Sequence, residues 1–156
     1  MTMPRRVAAA ALLVVTIVFL PRHADAASAL SVEAVSVSPA TPGPNSLCTL
    51  NVRLKNAGSK TATNFRFKVT IDGQEVTTYR IETYAVDIAP GVSGTVALHN
   101  FWTAAAPRAS STVEVSVVEA SWAEVKREAN ASTTTPADPV GGLPVTATQT
   151  ITMSAK

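Results

Sequence analysis

Asn64-Phe-Arg-Phe-Lys-Val-Thr-Ile-Asp-Gly73 decides the fold. Phe65, Phe67, Val69 and Ile71 alternate with Asn64, Arg66, Lys68 and Thr70, which is the period of a strand with one buried and one wet face. Asp72-Gly73 follows at once, and both residues tolerate the positive φ that a two-residue hairpin turn requires.

The same pattern extends to either side of this stretch. Upstream, Cys48, Leu50, Val52 and Leu54 point one way and Thr49, Asn51, Arg53 and Lys55 the other, until the turn residues Asn56-Ala-Gly58. Before them lies the β-rich run Leu30 to Val37, closed off by Pro39-Ala-Thr-Pro-Gly-Pro44, whose three prolines remove three backbone donors. Downstream, the alternation slips between Gln74 and Ile88. Tyr79 and Ile81 have one parity, whereas Tyr84, Val86 and Ile88 have the other. Such a slip signals either a bulge in one strand or a short connection between two. Ala89-Pro-Gly91 turns the chain; Val96, Leu98 and Trp102 are then in phase, which places Trp102 in the core. Val113, Val115 and Val117 form another inward row, residues 129–142 read as a long loop of small residues, and Val145 to Met153 reads as the last strand. About seven short strands separated by Pro and Gly turns predict an all-β fold, two antiparallel sheets packed face to face.

The first 26 residues do not belong to that fold. Arg5 and Arg6 precede an uncharged stretch, Val7 to Leu20, and Pro21 breaks it before Ala24-Asp-Ala26. A positive start, a short apolar segment and an A-x-A exit are the three parts of a secretory signal peptide. A membrane anchor is the rival reading, but the 14 residues of that stretch fall short of the ~20 that a span needs. The expected division is therefore a signal peptide over 1–26 and one domain over 27–156, secreted to a periplasm or the extracellular space, with no membrane insertion after cleavage. Cleavage removes three of the 13 basic and one of the 11 acidic residues, leaving ten of each. A neutral mature chain without a Lys/Arg cluster excludes nucleic acid as the expected partner.

The mature domain has the usual size for a single core. Cys48 is the only cysteine, so no internal disulfide forms, and its place in the Cys48–Leu54 row makes it a small buried core residue.

Several pieces then occur in order: Ser38-Pro-Ala-Thr-Pro-Gly-Pro44, Thr49-Leu-Asn-Val-Arg-Leu-Lys-Asn-Ala-Gly58, the Asn64–Gly73 stretch, Ile88-Ala-Pro-Gly91 and Phe101-Trp-Thr103. Over roughly residues 32–153 the chain resembles the CARDB domain, the cell adhesion related domain found in bacteria. The resemblance implies an immunoglobulin-like sandwich on a secreted or surface protein and an adhesion or accessory role. It supplies no active-site residue to carry over.

No constellation for chemistry emerges. His99 is the one histidine of the mature chain, and nothing in the sequence sets a nucleophile and an acid around it. Three or four convergent metal ligands are lacking, and the carboxylates are dispersed. No catalytic, metal or cofactor residue is expected. The ligand-binding candidates are aromatic: Trp122, beyond the Val113–Val117 row, and Tyr84 and Tyr79, one of which the slipped alternation turns outward. Leu143-Pro-Val-Thr-Ala147 resembles a sorting signal, but no apolar segment and basic tail follow it, and Asn130-Ala-Ser132 is a glycosylation sequon. The reading is a non-enzymatic interaction or adhesion module whose partner is another envelope or extracellular protein, or a polysaccharide. The alternatives are a carbohydrate-binding accessory module and a subunit or assembly chaperone acting by β-strand addition.

Overall fold

The alternating rows become strands in a computed structural model that describes residues 28–128 and 131–154; the signal segment 1–26 and Asn130 of the sequon lie outside the described residues. Strands β1 (Leu30–Ser38), β2 (Leu47–Asn56) and β5 (Ser93–Trp102) form one antiparallel sheet in the order β1-β2-β5. The other sheet holds β4 (Gln74–Glu75), β3 (Thr61–Ile71), β6 (Ser110–Glu128) and β7 (Ala131–Pro139), with β8 (Val145–Thr152) also paired to β6. The chain thus changes sheets three times, between β2 and β3, between β4 and β5, and between β5 and β6. This is the two-sheet division of an immunoglobulin-like sandwich.

The core lies between the sheets. Leu50, Val52 and Leu54 of β2 and Val96, Leu98 and Phe101 of β5 meet Phe65, Phe67 and Val69 of β3 and Val113, Val115 and Val117 of β6, all fully buried. Burying each such side chain contributes ~1.5–3 kcal/mol. Phe67 packs edge-on against Tyr84, ring centroids 5.6 Å apart at 75°, an arrangement that aligns a ring edge with a ring face. The expected hairpin is present: Ile71 pairs with Gln74, and Asp72 (φ 48°) and Gly73 (φ 81°) supply the two positive dihedrals. Cys48 is buried at the predicted place, its thiol donating to the Ser46 carbonyl oxygen at 3.7 Å, and burial pushes its pKa up.

The segment with slipped alternation is neither one strand nor two full ones. After the two residues of β4 the chain makes a single helical turn, α1 (Thr78–Ile81), and then returns to the same edge of β3 through bridges Phe65–Tyr84 and Ala62–Ile88. The turn absorbs the parity change. It also swings Tyr79 inward.

Residues 129–142 differ from the expected loop. β6 continues to Glu128, and Ala131–Pro139 returns along it as β7. Pairing of β6 with β3 ends at Thr61–Ala123, so beyond that point β6 and β7 form a two-stranded ribbon on that flank of the sheet. Nearly all of β7 is exposed. A strand wet on both faces needs no apolar alternation, and Thr133-Thr-Thr135 has the β-branched character that favours extended backbone. Gly141 to Pro144 interrupts the return strand before β8 resumes it, and Leu143, half-buried, packs against the core. The sorting-like stretch is therefore part of the sheet framework.

Thr103 fastens the proline-rich crossing between β1 and β2 to the end of β5. Its buried Oγ1 donates to the Gly43 carbonyl oxygen at 2.7 Å and accepts from the Ser46 amide at 2.8 Å. Thr103→Val keeps the shape and removes both bonds. Each orphaned partner costs about 1–2 kcal/mol, so a denaturant midpoint should fall with an unchanged slope.

Candidate functional site

A one-residue irregularity in β5 creates the most exposed aromatic surface of the described residues. Cys48 pairs with Phe101 and Leu50 with Leu98, so His99 and Asn100 together oppose Thr49 alone. This is a β-bulge, and Asn100 adopts φ 63° to make it. The extra residue reverses the alternation. Phe101 turns into the core with no exposed surface, and Trp102, expected inside, stands 57% exposed. Asn is among the residues that tolerate such a dihedral, which is the sequence signal for the bulge. The bulge is held from both sides: Thr49 Oγ1 lies 3.2 Å from His99 Nδ1, and the Tyr79 hydroxyl donates to the His99 carbonyl oxygen at 2.8 Å.

Trp102 borders a cleft of about 290 Å³ at one end of the sandwich. The β3–β4 hairpin forms its other wall with Ile71, Asp72, Gln74, Glu75 and Val76, and Arg108, from the connection before β6, completes it. Arg108 is ion-paired with Asp72 Oδ2, while Asp72 Oδ1 accepts the Thr112 amide at 2.9 Å. The Thr112 amide, with Arg108, holds the Asp72 carboxyl below its ordinary pKa, so it is ionised at neutral pH. The hairpin turn is thereby locked onto β6, and the wall facing Trp102 is fixed. Leu47, the cross-strand partner of Trp102, is 50% exposed and extends the apolar surface.

A second cleft, about 430 Å³, lies over Arg66, Thr83, Glu119, Pro139 and Leu143. Arg66 there donates to Thr83 Oγ1 at 3.0 Å and pairs with Glu119 at 3.3 Å. No aromatic side chain lines it.

The three aromatic candidates are not brought together in either cleft. Tyr79 is completely buried; burial, with a smaller contribution from Glu82, pushes its phenol up to about 12. This corrects its place among ligand-binding candidates: the helical turn directs it between the sheets, where it supports the bulge. Tyr84 is half-buried against Phe67, its hydroxyl bonded to Glu82, and burial followed by that bond pushes its pKa well up. Trp122 is also half-buried and packs on the core. Its indole lies directly over Gly58, where an added Cβ would come within 2.6 Å of Cη2. Trp122 serves as the lid of the Asn56–Gly58 turn. Gly58→Val should displace the indole and cost about 1–3 kcal/mol through overpacking, read as a lowered melting temperature and a red shift of indole emission in the native state.

Among the described residues, no three His, Cys, Asp or Glu side chains are grouped so as to hold a metal ion. What the Trp102 cleft can do with a ring, a neutralised ion pair and exposed amide and carboxyl groups is bind.

The solution NMR structure of a domain from a Methanosarcina acetivorans protein, provisionally named a cell surface protein, is similar to this chain at 25% identity and a TM-score of 0.40, covering 75% of this chain and 93% of that one. No curated protein matches the sequence. The CARDB family model matches residues 27–135, well over half of the chain and including β1 to β6 with the whole Trp102 cleft. The chain belongs to the CARDB family.

Proposed function

We propose that the domain is an exported, non-enzymatic interaction module of the cell envelope or extracellular space. CARDB membership over residues 27–135 carries this reading, since the family is related to cell adhesion. The family match begins at Ala27, the residue at which the signal reading starts the mature chain. The exposed Trp102–Leu47 pair beside a polar cleft supports a binding role, because adjoining exposed apolar side chains rimmed by polar residues are the kind of surface that interaction sites use.

The test has two readouts. The native protein, isolated from its source, is sequenced from its amino terminus, and its retention on envelope and extracellular material is measured. A first residue of Ala27 and saturable retention are expected. A chain that keeps residues 1–26 and stays in the cytoplasm overturns the reading. So does a catalytic turnover that a single substitution abolishes.

Strand addition is the weaker alternative. The outer edge of β7 carries Pro136 and Pro139, which offer no amide to an incoming strand.

A further inference from the structure

We propose that the cleft between Trp102 and the β3–β4 hairpin binds a neutral pyranose unit of a polysaccharide, with the sugar stacked on the indole. The proposal deepens the interaction reading and rests on it for its biological setting, not for its chemistry.

An indole 57% exposed presents a flat apolar face to water. Its backbone position is fixed by the bulge, which is held through Thr49 and Tyr79 on either side. A pyranose offers the complement: one face of C–H groups, polarised positive, and a rim of hydroxyls that both donate and accept. The negative face of the π-system attracts polarised hydrogens. The rim requires polar groups around the ring, and the cleft provides the anchored pair Asp72 and Arg108 together with the exposed Gln74 amide. Asp72 is ionised, and its two oxygens have about four acceptor sites, of which Thr112 and Arg108 take one each while the neighbouring Ser111 hydroxyl competes for a third. Arg108 has five N–H donors in a rigid fork, and its Nη1 is anchored to Asp72 in the cleft lining. An acceptor and a donor are thus held side by side, the arrangement that adjacent sugar hydroxyls engage.

Charge selects the class of sugar. Asp72 balances Arg108, the one cation in the cleft lining, so the wall beside Trp102 offers no unpaired cation to uronates, sulfated glycans or phosphates. Size selects the mode. At about 290 Å³ the cleft lies at the lower limit of small-molecule pockets. It accommodates one ring in contact with Trp102, while neighbouring units of the polymer extend past Leu47.

The purified protein is titrated with soluble neutral oligosaccharides (gluco-, manno-, galacto- and chito-oligomers), with polygalacturonate as the acidic comparison, following indole emission and retardation in polysaccharide gels. At least one neutral series should bind with a change in emission. Trp102→Ala should weaken that binding ten-fold or more, Trp102→Phe should retain part of it, and Gln74→Ala should weaken it several-fold. Trp122→Phe should leave the affinity unchanged, and the Trp102 variants should melt close to the parent protein. No binding in any neutral series, tighter binding of polygalacturonate, or unaltered affinity in Trp102→Ala would each overturn the proposal, as would selective binding of a basic or proline-rich peptide at Trp102. These outcomes are independent of where the protein resides, so failure of the sugar site and failure of the export reading are told apart by the amino-terminal sequence.

Discussion

Asn56→Asp should be the most damaging single-atom-scale change in the described structure, lowering stability by several kcal/mol at pH 7 and by less under acid. Asn56 is fully buried at the end of β2. Its Nδ2 donates to the Lys60 and Ile88 carbonyl oxygens, both at 2.8 Å, and its Oδ1 accepts the Gly58 amide at 2.9 Å. Its backbone joins in: the Asn56 amide donates to the Val92 carbonyl oxygen, and the Gly91 amide donates to the Asn56 carbonyl oxygen. One residue thus ties the β2–β3 turn to the return of the chain into β5. A carboxylate of the same shape has no donor for the two carbonyls, and its charge is buried without a cation. Breaking such an arrangement costs about 3–5 kcal/mol, a large share of the ~5–15 kcal/mol that holds a typical domain together.

The pH dependence separates this mechanism from a packing defect. Burial without a partner raises the folded-state pKa of the introduced carboxyl above its unfolded value, so the native state binds the proton more tightly. The penalty is then complete above the folded pKa and shrinks as pH falls through it, because a protonated carboxyl can again donate to one carbonyl. Relative to the parent, the variant should regain stability between neutral and mildly acid pH. Asn56→Ala, which orphans the same two carbonyls and the Gly58 amide without introducing charge, should lose about 2–4 kcal/mol with no such recovery. Paired urea titrations at two pH values measure this; equal losses in both variants at both pH values would refute the electrostatic account.

Asn56 also shows how far the sequence could be read. Asn56-Ala-Gly58 is visible as a turn from its residue types alone, and turn residues are enriched there for local reasons. That the asparagine reaches Ile88, and that the glycine is required by Trp122, are facts about segments 32 and 64 residues away. The sheets themselves were legible because Cys48–Leu54, Phe65–Val69 and Val113–Val117 each bury one face, and a half-buried strand writes its period into the sequence. The β6–β7 ribbon was not, because a strand exposed on both faces has no such constraint. Tyr79 was misplaced for the opposite reason. Its four-residue helical turn is too short to show a period, so its direction is set by the space beside β5.

The aromatic pair at the end of β5 gives the sharpest contrast between alternation and structure. Strict alternation from Val96 and Leu98 puts Trp102 inside and Phe101 outside; the His99–Asn100 bulge reverses both. Phe101→Ala should therefore cost about 3–5 kcal/mol, the loss for a large aromatic side chain removed from a closed core. Trp102→Ala should cost under ~1 kcal/mol, as its ring is mostly in water and its truncation leaves no cavity. Chemical denaturation of the two variants reads the difference directly. A larger loss for Trp102→Ala than for Phe101→Ala would show that the strand runs through without the bulge, with the indole in the core. The exposed stacking face would vanish with it, and so would the sugar site. The expected order instead makes the indole dispensable to folding, and so available as a recognition surface. A bulge of one residue, made by an asparagine at φ 63°, thus changes a core position into a binding position without altering the strand's pairing partner.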